Sequence, residues 1–131
     1  MIPIGAGVRR VFEALRANRW VALLADQDAR RHGVFVPFIG LASSTPTGPA
    51  QIALATGAPI IMGAITRRPD GRHVIEVDAP LPVPDAGPAD AVRALTAAHA
   101  AWLERRVRDR PDGWFWLHRR WKTEPPEAGG G

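Results

Sequence analysis

The sequence predicts one α/β domain in which helices pack on layers of apolar strands. Two amphipathic helical patterns, within residues 8–16 and 89–110, are separated by apolar runs of strand length. The clearest of these runs, 20–25 and 59–66, are of the kind that is buried on both faces of a sheet. Helices that alternate with such runs are typical of a layered α/β architecture. The 131 residues are about enough for one small domain.

Composition restricts the possible partners and excludes several kinds of site. The chain has 17 Lys and Arg against 13 Asp and Glu, a net charge of +4 that mildly favours anionic partners. It has no Cys, which excludes disulfides and thiol catalysis. The 4 His are too far apart in sequence to predict a metal site, and we expect no cofactor. The apolar run 52–65 is shorter than the roughly 20 residues that span a bilayer, so any membrane contact is expected at the surface.

The first part of the chain predicts a helix followed by extended segments. Val8, Val11 and Leu15 share one face of the helix. Residues 20–25 predict a buried strand that ends at Asp26-Gln27-Asp28. The segments that follow are predicted to be irregular or at an edge: a basic turn at 29–33, an edge strand or extended loop at 34–39 because of Pro37, and a polar loop at 43–47.

The second part predicts a helix, a hairpin and a long helix. Pro49 favours a helix start, and Gly57 favours its end. Residues 59–66 predict a buried strand that pairs with the alternating segment 73–77 across a turn at 67–72. The remaining predictions are a Pro-rich connection at 79–88, a helix at 89–110 ended by Pro111, and a disordered tail at 124–131.

Six short motifs follow one another in a recognisable order. They are VALLADQD (21–28), GVFVPFIG (33–40), TPTGPA (45–50), TGAPII (56–61), RRPDGR (67–72) and WFWLHRRWKT (114–123). In order and spacing, over roughly residues 8–123, they resemble the C-terminal half of the bacterial lipid A biosynthesis (lauroyl/myristoyl) acyltransferases, within the lysophospholipid acyltransferase superfamily. The resemblance implies an incomplete glycerolipid-acyltransferase-like layer, a mixed sheet packed by helices, with residues 1–123 as the C-terminal part of the acyltransferase domain.

The resemblance also implies a reaction, its partners and a location. Members of this family transfer a fatty acyl chain from an acyl carrier protein thioester to a hydroxyl of a lipid A precursor or a related glycolipid. The expected partners are therefore acyl carrier protein, an anionic glycolipid acceptor and the membrane surface, without nucleic acid. The expected location is the cytoplasmic face of the bacterial inner membrane.

The catalytic dyad of this family, His-x4-Asp/Glu, is expected to lie N-terminal to the portion represented here. We therefore predict no catalytic residue in this chain, interpret it as a truncated portion, and expect almost no acyl transfer from it alone. The chain contains the same spacing at His73/Asp78 and at His99/Glu104. In a strand the first pair would be about 16 Å apart on opposite faces. On a helix the second pair would be about 140° apart, so His99 is predicted to be a packed histidine.

The segment Asp26-Gln27-Asp28 is the main candidate for substrate binding. Polar groups at the carboxyl end of a buried strand lie where α/β sheets bind ligands. The resemblance implies that Asp26 and Asp28 hold sugar hydroxyls of the acceptor or orient the base, whereas the residues alone equally predict an Asx-type turn. Arg30 and Arg31 could bind acceptor phosphate or belong to a solvated turn. Ile61 and Met62 could line an acyl groove, although core packing is the commoner role of such residues.

The aromatic and basic segment 114–122 is the second candidate. Four residues are predicted to contact phosphate or the membrane, namely Arg119, Arg120, Trp121 and Lys122. In the alternative, Trp116 and Leu117 pack beneath the sheet while Arg119 and Arg120 pair with Asp26 or Asp28. Two other functions stay open: a small nucleic-acid-binding module that stacks Trp and Arg, and an inactive remnant.

Overall fold

The computed structural model describes residues 7–126, which form three helices and two separate two-stranded antiparallel sheets. The elements in chain order are α1 (Gly7–Arg16), β1 (Gly33–Phe38), β2 (Leu41–Pro46), α2 (Gly48–Thr56), β3 (Gly63–Arg67), β4 (His73–Val77) and α3 (Pro88–Asp109). The α/β class is confirmed. A single mixed sheet is wrong for these residues, because every strand pair among them is antiparallel and the two pairs are not joined. The predicted tail, 124–131, lies mostly outside the described residues.

Helix α3 forms the centre of the fold and packs against β1 and α2. The predicted apolar stripe faces inward, with Leu95, Trp102 and Val107 buried. His99 lies in the same stripe and is 8% exposed, which confirms its prediction as a packed histidine. Among the helices of residues 7–126, none has the combination of length and hydropathy that crossing a bilayer requires.

The β1–β2 hairpin differs from the sequence prediction at residues 43–47, where a polar loop is predicted. Ser43, Ser44 and Thr45 lie in β2, pair with β1 and are buried. The hydroxyls of Ser44 and Thr45 are compatible with burial because Ser44 donates to the carbonyl of Arg30 and Thr45 donates to the carbonyl of Ser43. In β1 the strand alternative is correct, and Pro37 is tolerated because β1 has a neighbour on one side only among the described strands.

The predicted buried strand at 20–25 is wrong. The segment forms no strand in residues 7–126, and Trp20 and Leu24 are 86% and 98% exposed. An apolar run predicts burial, but a strand also needs a neighbour for its backbone N–H and C=O groups. No described strand supplies that neighbour.

The hairpin β3–β4 confirms the predicted pairing and turn, but the first strand is shorter than expected. The prediction that this strand is buried is wrong, since Ile65 is 68% exposed. Residues 59–62 are irregular, and pairing begins at Gly63 opposite Val77. Helix α2 ends as predicted at Gly57, whose φ of 72° is in the left-handed region that favours glycine. The long helix and the Pro-rich connection before it are also confirmed.

Candidate functional site

The site forms where residues 114–123, the C-terminal segment, pack against the β1–β2 hairpin. Arg120 is 1% exposed and lies at its centre. Its Nη1 donates to the carbonyl of Ser44 and its Nη2 to Oγ1 of Thr45, each at 2.6 Å. The guanidinium also stacks 5.3 Å from the ring centre of Phe38. The C-terminal segment is therefore fastened to β2 through a buried cation.

Asp28 joins this cluster from the loop before β1. Its backbone N–H donates to Nε2 of His118 at 3.1 Å, and its Oδ2 accepts a hydrogen bond from Thr123 Oγ1 at 2.8 Å. Its Oδ1 accepts from the N–H of Arg30 at 2.9 Å, which confirms the predicted Asx-type turn. Burial tends to raise the pKa of Asp28, but the hydrogen bonds from Arg30 and Thr123, together with the charge of Arg120, outweigh it and lower the pKa.

Asp26 and His99 form the inner edge of the same cluster. His99 is buried on α3, and burial lowers its pKa, with the nearby charge of Arg120 acting in the same direction. Asp26 is half-buried and close enough for its carboxylate charge to oppose this lowering. The site thus brings two carboxylates, one cation and two imidazoles into one region.

An apolar pocket of about 180 Å³ adjoins the polar cluster and shares His99 with it. Helix α1 contributes Val11 and Leu15, while the segment after α2 contributes Ile61 and Met62. Ile61 and Met62 therefore line a pocket, and its use as an acyl groove stays a prediction. Ala25, the residue before Asp26, also lines the pocket, so the apolar and polar parts of the site are continuous.

The remaining predicted substrate-binding residues lie on the surface. Gln27, Arg30 and Arg31 are exposed around the turn that leads into β1. The two arginines occupy a short 3₁₀ turn, Arg30–His32, and Arg30 adopts a positive φ of 55°. They are free to approach an anionic group outside the protein, whereas Asp28 is held in the cluster by its hydrogen bonds with His118 and Thr123.

The predicted membrane-contact residues divide into two groups. Arg119 and Lys122 are exposed, as such a contact requires. A surface contact is wrong for Arg120, because its guanidinium is enclosed by Phe38 and β2. Trp121 is half-buried, with its ring centre 5.8 Å from that of Phe38 and its Nε1 donating to the Phe38 carbonyl at 3.3 Å.

The alternative for this segment, in which Trp116 and Leu117 pack beneath the sheet, is wrong. They are 54% and 84% exposed. Among residues 7–126, neither Arg119 nor Arg120 forms an ion pair with Asp26 or Asp28. The two carboxylates act on the Arg120 guanidinium only as nearby charges, and its hydrogen bonds go to β2.

The acidic members of the two His-x4-acid pairs, Asp78 and Glu104, bind partners other than their histidines. Asp78 accepts hydrogen bonds from Nε1 of Trp102 and from Arg106. Glu104 accepts the N–H of Ile39 at 2.8 Å and pairs with Arg108. These bonds dock the hairpins on α3, which agrees with the expectation that neither pair is a catalytic dyad.

Sequence reasoning did not identify His118, Thr123 or the hydroxyls of β2 as parts of the site. The sequence places His118 in the aromatic and basic segment 114–122 and predicts Ser43 to Thr45 as part of a loop. The available signal was the run of three hydroxyl residues directly after an apolar strand, since buried hydroxyls require partners such as a guanidinium.

A polar cluster continuous with an apolar pocket defines an α/β protein whose site suits an amphipathic, lipid-like ligand. The family model for bacterial lipid A biosynthesis acyltransferases matches residues 1–123, and the chain belongs to that family. It is 32% identical to the phosphatidylinositol mannoside acyltransferase of Mycobacterium tuberculosis strain H37Rv, over 98% of this chain and 40% of the relative. It is 29% identical to the lipid A biosynthesis lauroyltransferase of Escherichia coli strain K12, over 90% and 39%. The chain spans about 40% of the length of these curated relatives.

Proposed function

We propose that this chain is part of an enzyme that transfers a fatty acyl chain from an acyl carrier protein thioester to a hydroxyl of a lipid A precursor or related glycolipid. The observation that carries the proposal is the continuity of the apolar pocket with the charged cluster at Ala25, Asp26 and His99. An acyl chain needs an apolar pocket, and the sugar hydroxyls and phosphate of a glycolipid need charged groups. The relatives named for phosphatidylinositol mannoside and for lipid A support a glycolipid acceptor.

In this proposal the residues of the site have separate tasks. The pocket between α1, α2 and residues 58–63 holds apolar carbons of the acyl chain. Asp26 and Asp28 accept hydrogen bonds from sugar hydroxyls of the acceptor, and the exposed Arg30 and Arg31 bind its phosphate. His99 is buried and His118 accepts a hydrogen bond from Asp28, so neither is assigned as the general base.

We further propose that the enzyme works at the cytoplasmic face of the inner membrane, where an anionic glycolipid acceptor and a protein-borne acyl thioester would meet. The exposed cations Arg119 and Lys122 support contact with an anionic surface. A nucleic-acid-binding module is less well supported, because burial removes Arg120 from the set of cations that could meet a backbone phosphate.

Acyl transfer by the polypeptide that the complete gene encodes tests this function. The donors are acyl carrier protein thioesters, and the acceptors are a radiolabelled lipid A precursor and phosphatidylinositol mannoside. We expect transfer to at least one acceptor, with a loss of about tenfold or more in kcat/KM for Asp26→Asn, which removes a charge from the site. The matched control Asp85→Asn, at an exposed residue of the Pro-rich connection, should transfer normally. The proposal is contradicted if neither glycolipid accepts an acyl chain, or if Asp26→Asn and Asp85→Asn transfer it at equal rates.

A further inference from the structure

The C-terminal segment contains an exposed apolar triplet, Phe115, Trp116 and Leu117. These side chains are 67%, 54% and 84% exposed. Within residues 7–126 no other three consecutive large apolar side chains are exposed together. A contiguous apolar surface of this kind marks a place of contact with a partner or a membrane.

The triplet is held outward between two anchored tryptophans. The ring centre of Trp114 lies 5.6 Å from that of Phe38, and Trp121 packs on the same ring. Inside the segment, Nε1 of Trp116 donates to the carbonyl of Pro111 at 2.7 Å. The backbone turns back as the N–H of His118 donates to the carbonyl of Phe115. These bonds fix the exposed position of the triplet, so its exposure is a feature of the fold.

Charges beside the triplet select the kind of partner. Arg119 and Lys122 follow it in the chain and are exposed, and within residues 7–126 neither forms an ion pair. Tryptophan and phenylalanine with neighbouring Lys or Arg are suited to the membrane–water interface, where rings enter the headgroup region and cations meet anionic lipids. The Nε1 of Trp116 is already satisfied inside the protein, so its ring can enter an apolar layer without losing a hydrogen bond.

We propose that residues 115–117 insert into the interfacial region of an anionic lipid bilayer, with Arg119 and Lys122 on its headgroups. The inference rests on the proposed function, since a lipid acceptor brings the protein to a membrane. It replaces the predicted contact through Arg120 and Trp121, which are occupied at β1 and β2. The two exposed cations supply only part of the attraction, and the triplet supplies the rest.

Vesicle binding measures this insertion directly. The probes are vesicles of equimolar phosphatidylglycerol and phosphatidylethanolamine, compared with vesicles of phosphatidylcholine alone. We expect the protein to co-sediment with the anionic vesicles and its Trp fluorescence to be quenched by lipids labelled near the headgroup. Leu117→Asp should weaken this binding by about tenfold or more, since a buried leucine is lost. Arg119→Ala with Lys122→Ala should weaken it by about 30-fold at low salt.

Val83→Asp is the matched control, because Val83 is 63% exposed in the Pro-rich connection and far from the triplet in sequence. It should bind vesicles as the unchanged protein does. Equal binding by Leu117→Asp and Val83→Asp overturns the proposal, as does a lack of quenching. A third outcome also overturns the proposal: neither the unchanged protein nor Leu117→Asp binds vesicles, and Leu117→Asp loses self-association. That result would assign the triplet to a contact between proteins. Acyl transfer to a water-soluble acceptor analogue should be unchanged in Leu117→Asp, so failure of membrane binding and failure of the proposed function are separate results.

Discussion

At the scale of single residues, Arg120 determines how the site is assembled. The sequence places it in a basic segment that is typical of a surface, yet it forms two hydrogen bonds with β2 and lies on Phe38. Two buried polar atoms in the described residues, Ser43 Oγ and Arg120 Nε, have no protein partner. The buried guanidinium is a structural centre of the site, because it is hydrogen-bonded to β2 and its charge helps to lower the pKa of Asp28.

Replacing Arg120 should therefore cost stability as well as activity. Arg120→Ala removes the hydrogen bonds that the guanidinium donates to the Ser44 carbonyl and to the Thr45 hydroxyl, and it removes the compensating charge near Asp28. We expect the free energy of unfolding to fall by about 3 kcal/mol, as for loss of hydrogen bonds to a charged group. Chemical denaturation measures this loss. Arg119→Ala, at the exposed neighbouring residue, should change it by less than about 0.5 kcal/mol, and equal effects of the two changes would contradict the burial of Arg120.

His99 makes stability depend on pH between neutrality and mild acid. Its pKa in the folded protein lies below the ordinary value of 6.5, because burial and the charge of Arg120 disfavour the imidazolium. As the pH falls below 6.5, the unfolded state takes up a proton that the folded state does not, so the free energy of unfolding should decrease. Denaturation at a series of pH values measures this slope. His99→Gln should reduce it, while His73→Gln, at an exposed residue of β4, should leave it unchanged.

At the scale of elements, close approach between the loop before β1 and strand β2 brings Asp28 to the C-terminal segment. Gly33 begins β1, where the N–H of Ala29 donates to the Ser44 carbonyl. A Cβ at Gly33 would lie 2.6 Å from both Ser44 Oγ and the Thr45 carbonyl oxygen and 2.7 Å from the Ala29 Cβ. Its φ of −99° is accessible to any residue, so space and not conformation requires glycine here.

Gly33→Ala should consequently separate the loop from β2. We expect a decrease of about 1–3 kcal/mol in the free energy of unfolding, the usual cost of overpacking. Hydrogen exchange should also show faster exchange at the N–H groups of Ala29 and Asp28. The control is Gly48→Ala at the start of α2, where a Cβ meets no atom within 4 Å. Unchanged exchange in Gly33→Ala would show that the loop does not depend on this contact.

The elements that sequence could predict are those whose signal is local. Helix α2 follows from Pro49 and Gly57, and the β3–β4 hairpin follows from alternation and a turn. The failures at 20–25 and 43–47 have a different origin, because the state of these segments depends on distant partners. The apolar segment 20–25 has no strand beside it in the described residues. Residues 43–46 of the predicted polar loop belong to strand β2, because β1 and Arg120 supply hydrogen-bond partners. In the same way Asp26 and Asp28 were predictable, whereas His118 and Thr123 lie 90 and 95 residues from Asp28 in the chain.

At the scale of the whole molecule, one face of the β3–β4 hairpin exposes apolar side chains that a second layer usually covers in a layered protein. The β3–β4 hairpin exposes Ile65 and Ile75, which pair across the strands and are 68% and 69% exposed. Val77 continues the same strand and is 61% exposed. A sheet face with this composition favours association with another surface.

We therefore expect the chain to self-associate in solution. Sedimentation velocity should show species larger than a monomer whose proportion rises with protein concentration. Ile75→Lys should lower that proportion, since it places a charge in the middle of the apolar face. Arg72→Lys, in the exposed turn of the same hairpin, keeps the charge and should behave as the unchanged protein. A single monomeric species at all concentrations would show that the exposed face does not drive association.

In the proposed function, the pocket beside the polar cluster holds an acyl chain. Photocrosslinking with a fatty acyl thioester that carries a diazirine along its chain, followed by peptide mass spectrometry, tests it directly. We expect crosslinks to residues 58–63 and to the inner face of α1 at Val11 and Leu15, the two sides of the pocket. Crosslinks confined to the second cavity, between β3–β4 and the end of α3, or no crosslinks within the first pocket, would contradict it.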